Sequence, residues 1–370
     1  VRRITPDTIA ALVDGVRRGE QRAGARLMRL VDDRHPLAFD ALRQLFAHTG
    51  RARVIGITGN PGSGKSTLTD QLIAHYRGQG KTVGVVAVDP SSPFTGGAIL
   101  GDRIRMSDHA TDDGVFIRSL ATRGHLGGLS RSTHDVVQIL DAMGFDVILL
   151  ETVGVGQDEI EVVRLAHTSI VVMVPGMGDD IQAIKAGILE IADIFAVNKA
   201  DREGADRVVK DLKALELLAA PNLHRLAQAS GHHGPQAPAP GGGDTPGETP
   251  DEERWQAPIL KTVALRGEGV AELAQAIEDH GAFLERTSRP GGEGLSRQRR
   301  REGHGLDSLI LDRVMAAVGA AIDASEGGRW ALYDRLIHRD TDPYTEADRI
   351  LGEVLQGRVL RDESARRGQA

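Results

Sequence analysis

An apolar run, Val54-Ile55-Gly56-Ile57, leads into Gly59-Asn60-Pro61-Gly62-Ser63-Gly64-Lys65-Ser66-Thr67, and Leu68, Leu72 and Ile73 follow at helical spacing. A strand, a glycine loop and a helix start, in that order, make a cradle of backbone N–H groups at the positive end of a helix dipole. Glycine lets the chain wrap a phosphate closely, with no Cβ in the way. The pattern is G-x-x-x-x-G-K-[ST], in which Lys65 reaches the β- and γ-phosphates and the Ser66 hydroxyl can ligate Mg²⁺. Gly59 through Thr67 therefore predict a nucleoside polyphosphate site.

The rest of the chain is compatible with that fold. From Val54 to about Ala264, strand-like apolar runs alternate with helical stretches: Val54–Thr58, Thr82–Val88, Val115–Arg118, Val147–Glu151, Ser169–Val174, Ile194–Asn198 and Ile259–Thr262. Near-continuous apolar strands separated by helices predict an α/β fold, a mostly parallel P-loop sheet with helices on both faces. Ligands of such sheets gather outside the carboxyl ends of the strands. Residues 1–50 read as a helical preface. Thr5 caps a first helix, Pro6 sits in its first turn, and Ile9, Leu12, Val13 and Val16 form its apolar face; Leu37, Leu42, Leu45 and Phe46 mark a later one.

Two breakers divide the remainder. Gly231–Pro250 holds six glycines and five prolines in twenty residues, the composition of an unstructured insertion, and its His232-His233 pair lacks further ligands at zinc spacing. Arg289-Pro290-Gly291-Gly292 separates a P-loop domain, 51–288, from a helical arm, 289–370. In the arm, Leu306, Leu309, Ile310, Val314, Ala317, Val318 and Ala321 form an apolar stripe. A last helix starting near Thr345 is expected to bury Ile350, Leu351, Val354 and Leu355. Such stripes pack on their own core or on a second copy, as a dimerisation arm.

Composition narrows the class of partner. The net charge of −7 gives no electrostatic footprint for nucleic acid, and the basic run Arg297-Gln298-Arg299-Arg300-Arg301 reads as a solvated helix start. The chain has no cysteine, which excludes disulfides and thiolate metal sites. No apolar run approaches the roughly 18 residues of a membrane span, and the first residues lack a signal peptide's apolar core. A cytoplasmic protein with no membrane partner is expected.

Asn198-Lys199-Ala200-Asp201 follows the sixth apolar run and matches N-K-x-D. A carboxylate at Asp201 can accept from both the ring N1–H and the exocyclic amine of guanine, whereas adenine would leave it badly paired. The Lys199 stem can lie over the base and Asn198 can brace the loop. Val263, Ala264 and Leu265 stand where backbone N–H groups could close over the base. Two acids end strands and suit metal and water chemistry: Asp89 after Thr82–Val88, and Glu151 after Val147–Leu150, the usual Walker B position. Gly154 can offer a backbone N–H to the γ-phosphate. Arg105 can pair with phosphate or with an acid.

The segments GNPGSGKST, VAVDPSSPFTGGAILGDRIRM, ETVGVGQ and NKAD, with the late Asp342-Pro343-Tyr344-Thr345, resemble the MeaB/ArgK-type GTPases. The resemblance runs from the N-terminal helices through the arm, interrupted by Gly231–Pro250. Val263 departs from it, standing where many relatives carry Ser. It implies GTP and GDP as ligands, Mg²⁺ as cofactor, and Asp102 as a further acid beside Lys65, Ser66, Asp89 and Glu151. It implies mobile loops around Asp102–Arg105, Glu151–Gln157 and Pro175–Asp180, and a homodimer joined through the C-terminal helices. The implied partner is an adenosylcobalamin-dependent acyl-CoA mutase of the methylmalonyl-CoA type, whose cofactor loading and protection the GTPase gates. Two other classes share the P-loop. A nickel-insertion GTPase needs Cys/His clusters, and this chain has no Cys; a small-molecule kinase has no need of N-K-x-D.

Overall fold

Strand register decides which residues can meet. In the computed structural model, residues 4–89, 109, 111–121, 128–152, 164–176, 191–215 and 254–355 are described. Seven strands, β1 (Arg53–Thr58), β2 (Val83–Asp89), β3 (Val115–Ala121), β4 (Val147–Thr152), β5 (Thr168–Met173), β6 (Ile194–Val197) and β7 (Ile259–Lys261), make one sheet ordered β3-β2-β4-β1-β5-β6-β7. Every neighbouring pair is parallel. Each apolar run expected to be a strand is one. Pairing Ile57 with Glu151 and Thr58 with Val171 sets the end of β1 between the ends of β4 and β5.

Alternation along the strands sorts side chains onto two faces. Ile55, Ile57, Val83, Val85, Leu149, Ile170 and Val172 pack with Leu68, Leu72 and Ile73 of α4 (Lys65–Gly78) and with Leu273 and Ile277 of a later helix, Val270–Arg286. Their neighbours Val54, Val86, Val88, Ile148 and Leu150 face the other way. There they meet Val136, Ile139 and Leu140 of α5 (Gly128–Ala142) and the preface helices α1 (Pro6–Arg17), α2 (Gln21–Asp32) and α3 (Pro36–Phe46). Val171, Met173, Phe195 and Val197 bury against a helical segment at 205–215. The sheet is thus covered on both faces.

The preface is part of this core. Thr5 Oγ1 caps α1 by accepting from Thr8 N at 3.3 Å, with Pro6 in the first turn. The Asp141 carboxylate accepts from the amides of Gly50, Arg51 and Ala52 at 2.5, 3.1 and 2.9 Å, fixing the path from preface to β1.

At the amino ends of the strands lies a buried polar cluster that the sequence did not announce. Asp193, just before β6, accepts from Ser169 N at 2.8 Å and from the Arg297 guanidinium, which also donates to Glu293 at 2.8 Å. Fully buried His280, on α6 (Val270–Arg286), places Nδ1 2.9 Å from Thr168 Oγ1 and Nε2 3.6 Å from Asp193. The Trp255 indole donates to the Asp193 carbonyl at 2.8 Å, its ring 4.8 Å from His280. The expectation of a solvated helix start over Arg297–Arg301 therefore fails at Arg297, which two carboxylates draw inward; Arg299 and Arg300 are exposed.

The chain divides into two compact units, Val1–Glu302 and Gly303–Ala370. The second holds the latter part of α7 (Glu293–Ala324), then α8 (Gly328–His338) and α9 (Pro343–Leu355), around Ala321, Leu332, Ile350 and Val354. Leu351 and Leu355, expected to be buried, are 42% and 83% exposed, because α9 turns only its Ile350/Val354 edge inward. The α7 stripe also splits: Ala317, Val318 and Ala321 join the core, while Leu306, Ile310 and Val314 are exposed. The Gly231–Pro250 insertion lies outside the described residues.

Burial pushes the His280 imidazole down to about 4, although the Asp193 carboxylate pulls the other way. An unfolded chain takes up this proton near pH 6.5 and the folded chain does not. Stability should therefore be full above pH 6.5 and fall as pH drops toward 4, by at most about 3 kcal/mol from this group. The chain has two tryptophans, so in Trp330→Phe the Trp255 emission alone reports on the cluster. Urea midpoints between pH 7 and 4.5 should fall, and less so in His280→Gln; equal slopes would exclude this origin.

Candidate functional site

The loop Gly59–Gly64 leaves β1 and enters α4 through three glycines in the left-handed region, Gly59 (φ +139°), Gly62 (φ +75°) and Gly64 (φ +90°). A Cβ on Gly59 would lie 2.2 Å from the Val172 carbonyl, and one on Gly64 would lie 2.4 Å from Asn198 Nδ2. Sheet and neighbouring loop, as well as any phosphate, demand these glycines. Gly64 caps α4, so Lys65 and Ser66 open the helix whose dipole faces the cradle. The buried Lys65 ammonium donates to the carbonyls of Gly59 at 2.5 Å and Asn60 at 3.1 Å, pinned inside the loop.

Register brings Glu151 to this helix start. Its carboxylate is buried at the end of β4, and Oε1 accepts from Ser66 Oγ at 2.5 Å. Thr152 Oγ1 reaches Thr58 Oγ1 at 3.2 Å, binding the ends of β4 and β1 together. A hydroxyl and a carboxylate this close are two hard oxygen donors, which suits Mg²⁺, and the donor set fits that ion. Asp89 ends β2 one step beyond the Val88–Thr152 pairing, on the same sheet edge. Asp102, Arg105 and Gly154, with most of the three expected mobile loops, lie outside the described residues.

The N-K-x-D segment follows β6 and is tied to the cradle. Asn198 Nδ2 donates to the Ser63 carbonyl at 2.9 Å, while its Oδ1 accepts from Ala264 N at 3.0 Å and Thr262 Oγ1 at 3.2 Å. Lys199, at a positive φ of 55°, donates from Nζ to the Gly62 carbonyl at 2.7 Å. Val263 and Ala264 are buried and Leu265 is exposed, in a short 3-10 turn over Ala264–Arg266. Asp201 stands half-exposed, 3.1 Å from the Arg266 guanidinium. Sequence reasoning missed Arg266 and the Thr262 hydroxyl. The signal was the pair Gly267 and Gly269, whose positive φ values fold the chain back after Arg266.

Fold and cradle define a P-loop nucleotide-binding protein. The family described as "Methylmalonyl Co-A mutase-associated GTPase MeaB" matches residues 24–323. The chain is 43% identical over 351 residues to a protein of Pyrococcus abyssi named as a GTPase, covering 94% of this chain and 98% of that one. It is 35% identical over 290 residues to the GTPase ArgK of Escherichia coli, covering 77% and 80%. A relative from Caenorhabditis briggsae named "Methylmalonic aciduria type A homolog, mitochondrial" is 35% identical over 209 residues, covering 52% and 51%. A crystal structure titled "LAO/AO transport system kinase" superposes with a TM-score of 0.60 at 25% identity, covering 96% of this chain and 99% of that one. The chain belongs to the MeaB family of P-loop GTPases.

Asn198 is 2% exposed and bonds to two neighbouring loops through both ends of its amide. In Asn198→Asp a carboxylate oxygen would replace Nδ2 and face the Ser63 carbonyl, two acceptors in contact. Removing a buried polar partner costs about 1–3 kcal/mol, so Asn198→Asp should lower the unfolding midpoint and weaken GDP binding together. Calorimetry on this variant and on Asn198→Ala, which leaves Ala264 N without its acceptor, checks this; unchanged GDP affinity in either would show that the brace is not needed.

Proposed function

We propose that this chain binds and hydrolyses GTP at the Gly59–Thr67 cradle, and that the hydrolysis cycle serves an adenosylcobalamin-dependent acyl-CoA mutase of the methylmalonyl-CoA type. The observation that carries the site is the Asn198 amide. It spans from the Ser63 carbonyl to Ala264 N, so cradle, Asp201 and the Val263–Leu265 turn belong to one binding surface. The backbone N–H groups of Gly59–Thr67 and the Lys65 ammonium receive the phosphates. Asp201 accepts from the two N–H groups of the guanine edge, and Lys199 lies over the ring.

Ser66 and Glu151 would hold Mg²⁺, with Asp89 and Asp102 as further acids. When bound, the ion would supply positive charge against the phosphates. In hydrolysis a water oxygen bonds to the γ-phosphorus as the bond to the β–γ bridging oxygen breaks, and the water's proton passes to phosphate. Lys65 offsets the charge on the leaving diphosphate, while Glu151 orders the water by hydrogen bonding. Gly154 N–H senses the γ-phosphate.

The mutase assignment is supported by the family's own description and by the name of the Caenorhabditis relative. The exposed Leu306, Ile310, Leu311, Val314 and Met315 support a dimerisation role for the arm, read as 289–370 after a preface, 1–50, and a GTPase domain, 51–288; residues up to Glu302 pack with the first compact unit. The cytoplasm is the compartment this reading implies. Among the described residues no helix is long and apolar enough to cross a membrane.

GDP should bind far more tightly than ADP, and Asp201→Asn should reverse the preference toward xanthosine diphosphate, whose 2-oxo group accepts from an amide. Equal GDP and ADP affinity would sink the base assignment. For the partner, GTPase rate and GDP affinity are measured with and without the mutase of the same organism. Typical couplings correspond to roughly 5–150-fold, reciprocal in affinity. No change at saturating mutase would overturn the partner while leaving the GTPase standing.

A further inference from the structure

Phosphate and base recognition as set out above leave one cation at the base site without a task. Arg266 places Nη2 3.1 Å from Asp201 Oδ2, and its Nε lies 3.3 Å from Glu268 Oε1. Lys199, the other cation nearby, is engaged with the Gly62 carbonyl. Among the described residues, Arg266 is the cation paired with Asp201.

The loop that carries Arg266 is rigidly built. Arg266 N donates to the Val263 carbonyl at 2.9 Å, and Val263 N to the Glu268 carbonyl at 3.0 Å, closing the turn on both sides. Gly267 and Gly269 sit at φ +70° and +76°, and a Cβ on Gly269 would lie 2.2 Å from the Lys261 carbonyl. Ala264 N is fixed on Asn198. The guanidinium thus pairs with Glu268 through Nε and with Asp201 through Nη2. The chain Glu268–Arg266–Asp201 runs from a fixed turn to the carboxylate expected to read the purine edge.

We propose that Arg266 is a positioning residue that fixes the plane of the Asp201 carboxylate, so that the two oxygens meet the N1–H and the 2-amino group of guanine together. The inference rests on the base assignment of Asp201 made above. A carboxylate oxygen has two lone pairs, so Oδ2 can keep Arg266 and still accept from the base. A carboxylate free to rotate about χ2 would make one bond as readily as two. Arg266 therefore acts on the second bond, the one that separates guanine from hypoxanthine, which lacks the 2-amino group.

The test titrates full-length parent, Arg266→Ala and Arg266→Lys with GDP, IDP and ADP by calorimetry, with unfolding midpoints recorded in parallel. Half-exposed ion pairs are weak, so Arg266→Ala should reduce the GDP-to-IDP affinity ratio by about two- to fivefold. The loss should fall on GDP, with IDP nearly unchanged, and Arg266→Lys should recover part of it. Glu268→Gln, which leaves Arg266 in place but weakens its other ion pair, should give a smaller fall in the same ratio. An unchanged ratio in Arg266→Ala, with both affinities lowered equally, would assign Arg266 to loop packing and overturn the proposal. A gain in GDP affinity would overturn it as well, showing that Arg266 competes with the base. A parent that binds ADP as tightly as GDP would remove the base assignment itself, a result distinct from either.

Discussion

One amide side chain holds the nucleotide site together. Asn198 leaves the end of β6 and reaches backward to the loop after β1 and sideways to the loop after β7. Lys199 on the Gly62 carbonyl and Ala200 N on the Thr262 carbonyl add to the same link, but Asn198 bonds to cradle and base turn at once. Its donor and acceptor ends are both used, so neither a carboxylate nor an aliphatic of the same size can replace it. Gly64 belongs to the same constraint, because a Cβ there would strike the Asn198 amide. Two motifs far apart in sequence thus share one contact.

The sheet was legible because its chemistry is repetitive. Parallel strands covered on both faces are largely apolar, and each such run between helices became a strand within three residues of its expected ends. The cradle was legible for a related reason: Gly59, Gly62 and Gly64 occupy backbone conformations that few other residues adopt, so the pattern constrains the local geometry directly. The side-chain contacts were harder. Arg297 sits in a basic run that looks solvated, and only the return of β6 and α6 to the same place brings Asp193 and His280 near it. Arg266 is unremarkable in sequence because its partner Asp201 lies on another strand end. Leu351 and Leu355 failed for the opposite reason, since helical spacing marks an apolar stripe without fixing its width.

The two ends of β6 do different work. At its start, Asp193 gathers Ser169, Arg297 and the Trp255 indole into a buried polar cluster. At its finish, Asn198 gathers the loops of the nucleotide site. The strand between, Ile194–Val197, is buried throughout. Buried ion clusters are costly to desolvate and add little net stability, but they penalise any alternative packing that leaves one member unpaired. The Asp193 cluster therefore serves chiefly to fix the register of β6 against β5 and α6. A one-residue slip would strand Asp193 and also carry Asn198 away from Ser63.

Lys65 shows how the same economy serves the chemistry. Its ammonium is 6% exposed and is held by two loop carbonyls, at 2.5 and 3.1 Å. A positive charge in so little water would be expensive alone; here the carbonyl dipoles of the cradle stand in for solvent. An arriving phosphate oxygen then meets a charge already in position, with little side-chain entropy left to lose. Under the proposed function Ser66 and Glu151 would stand in the same relation to a divalent cation, two hard oxygens brought within 2.5 Å by the pairing of β1 and β4. Strand register thus sets Lys65, Ser66 and Glu151 around one helix start, with their charges and hydroxyl in position before any ligand arrives.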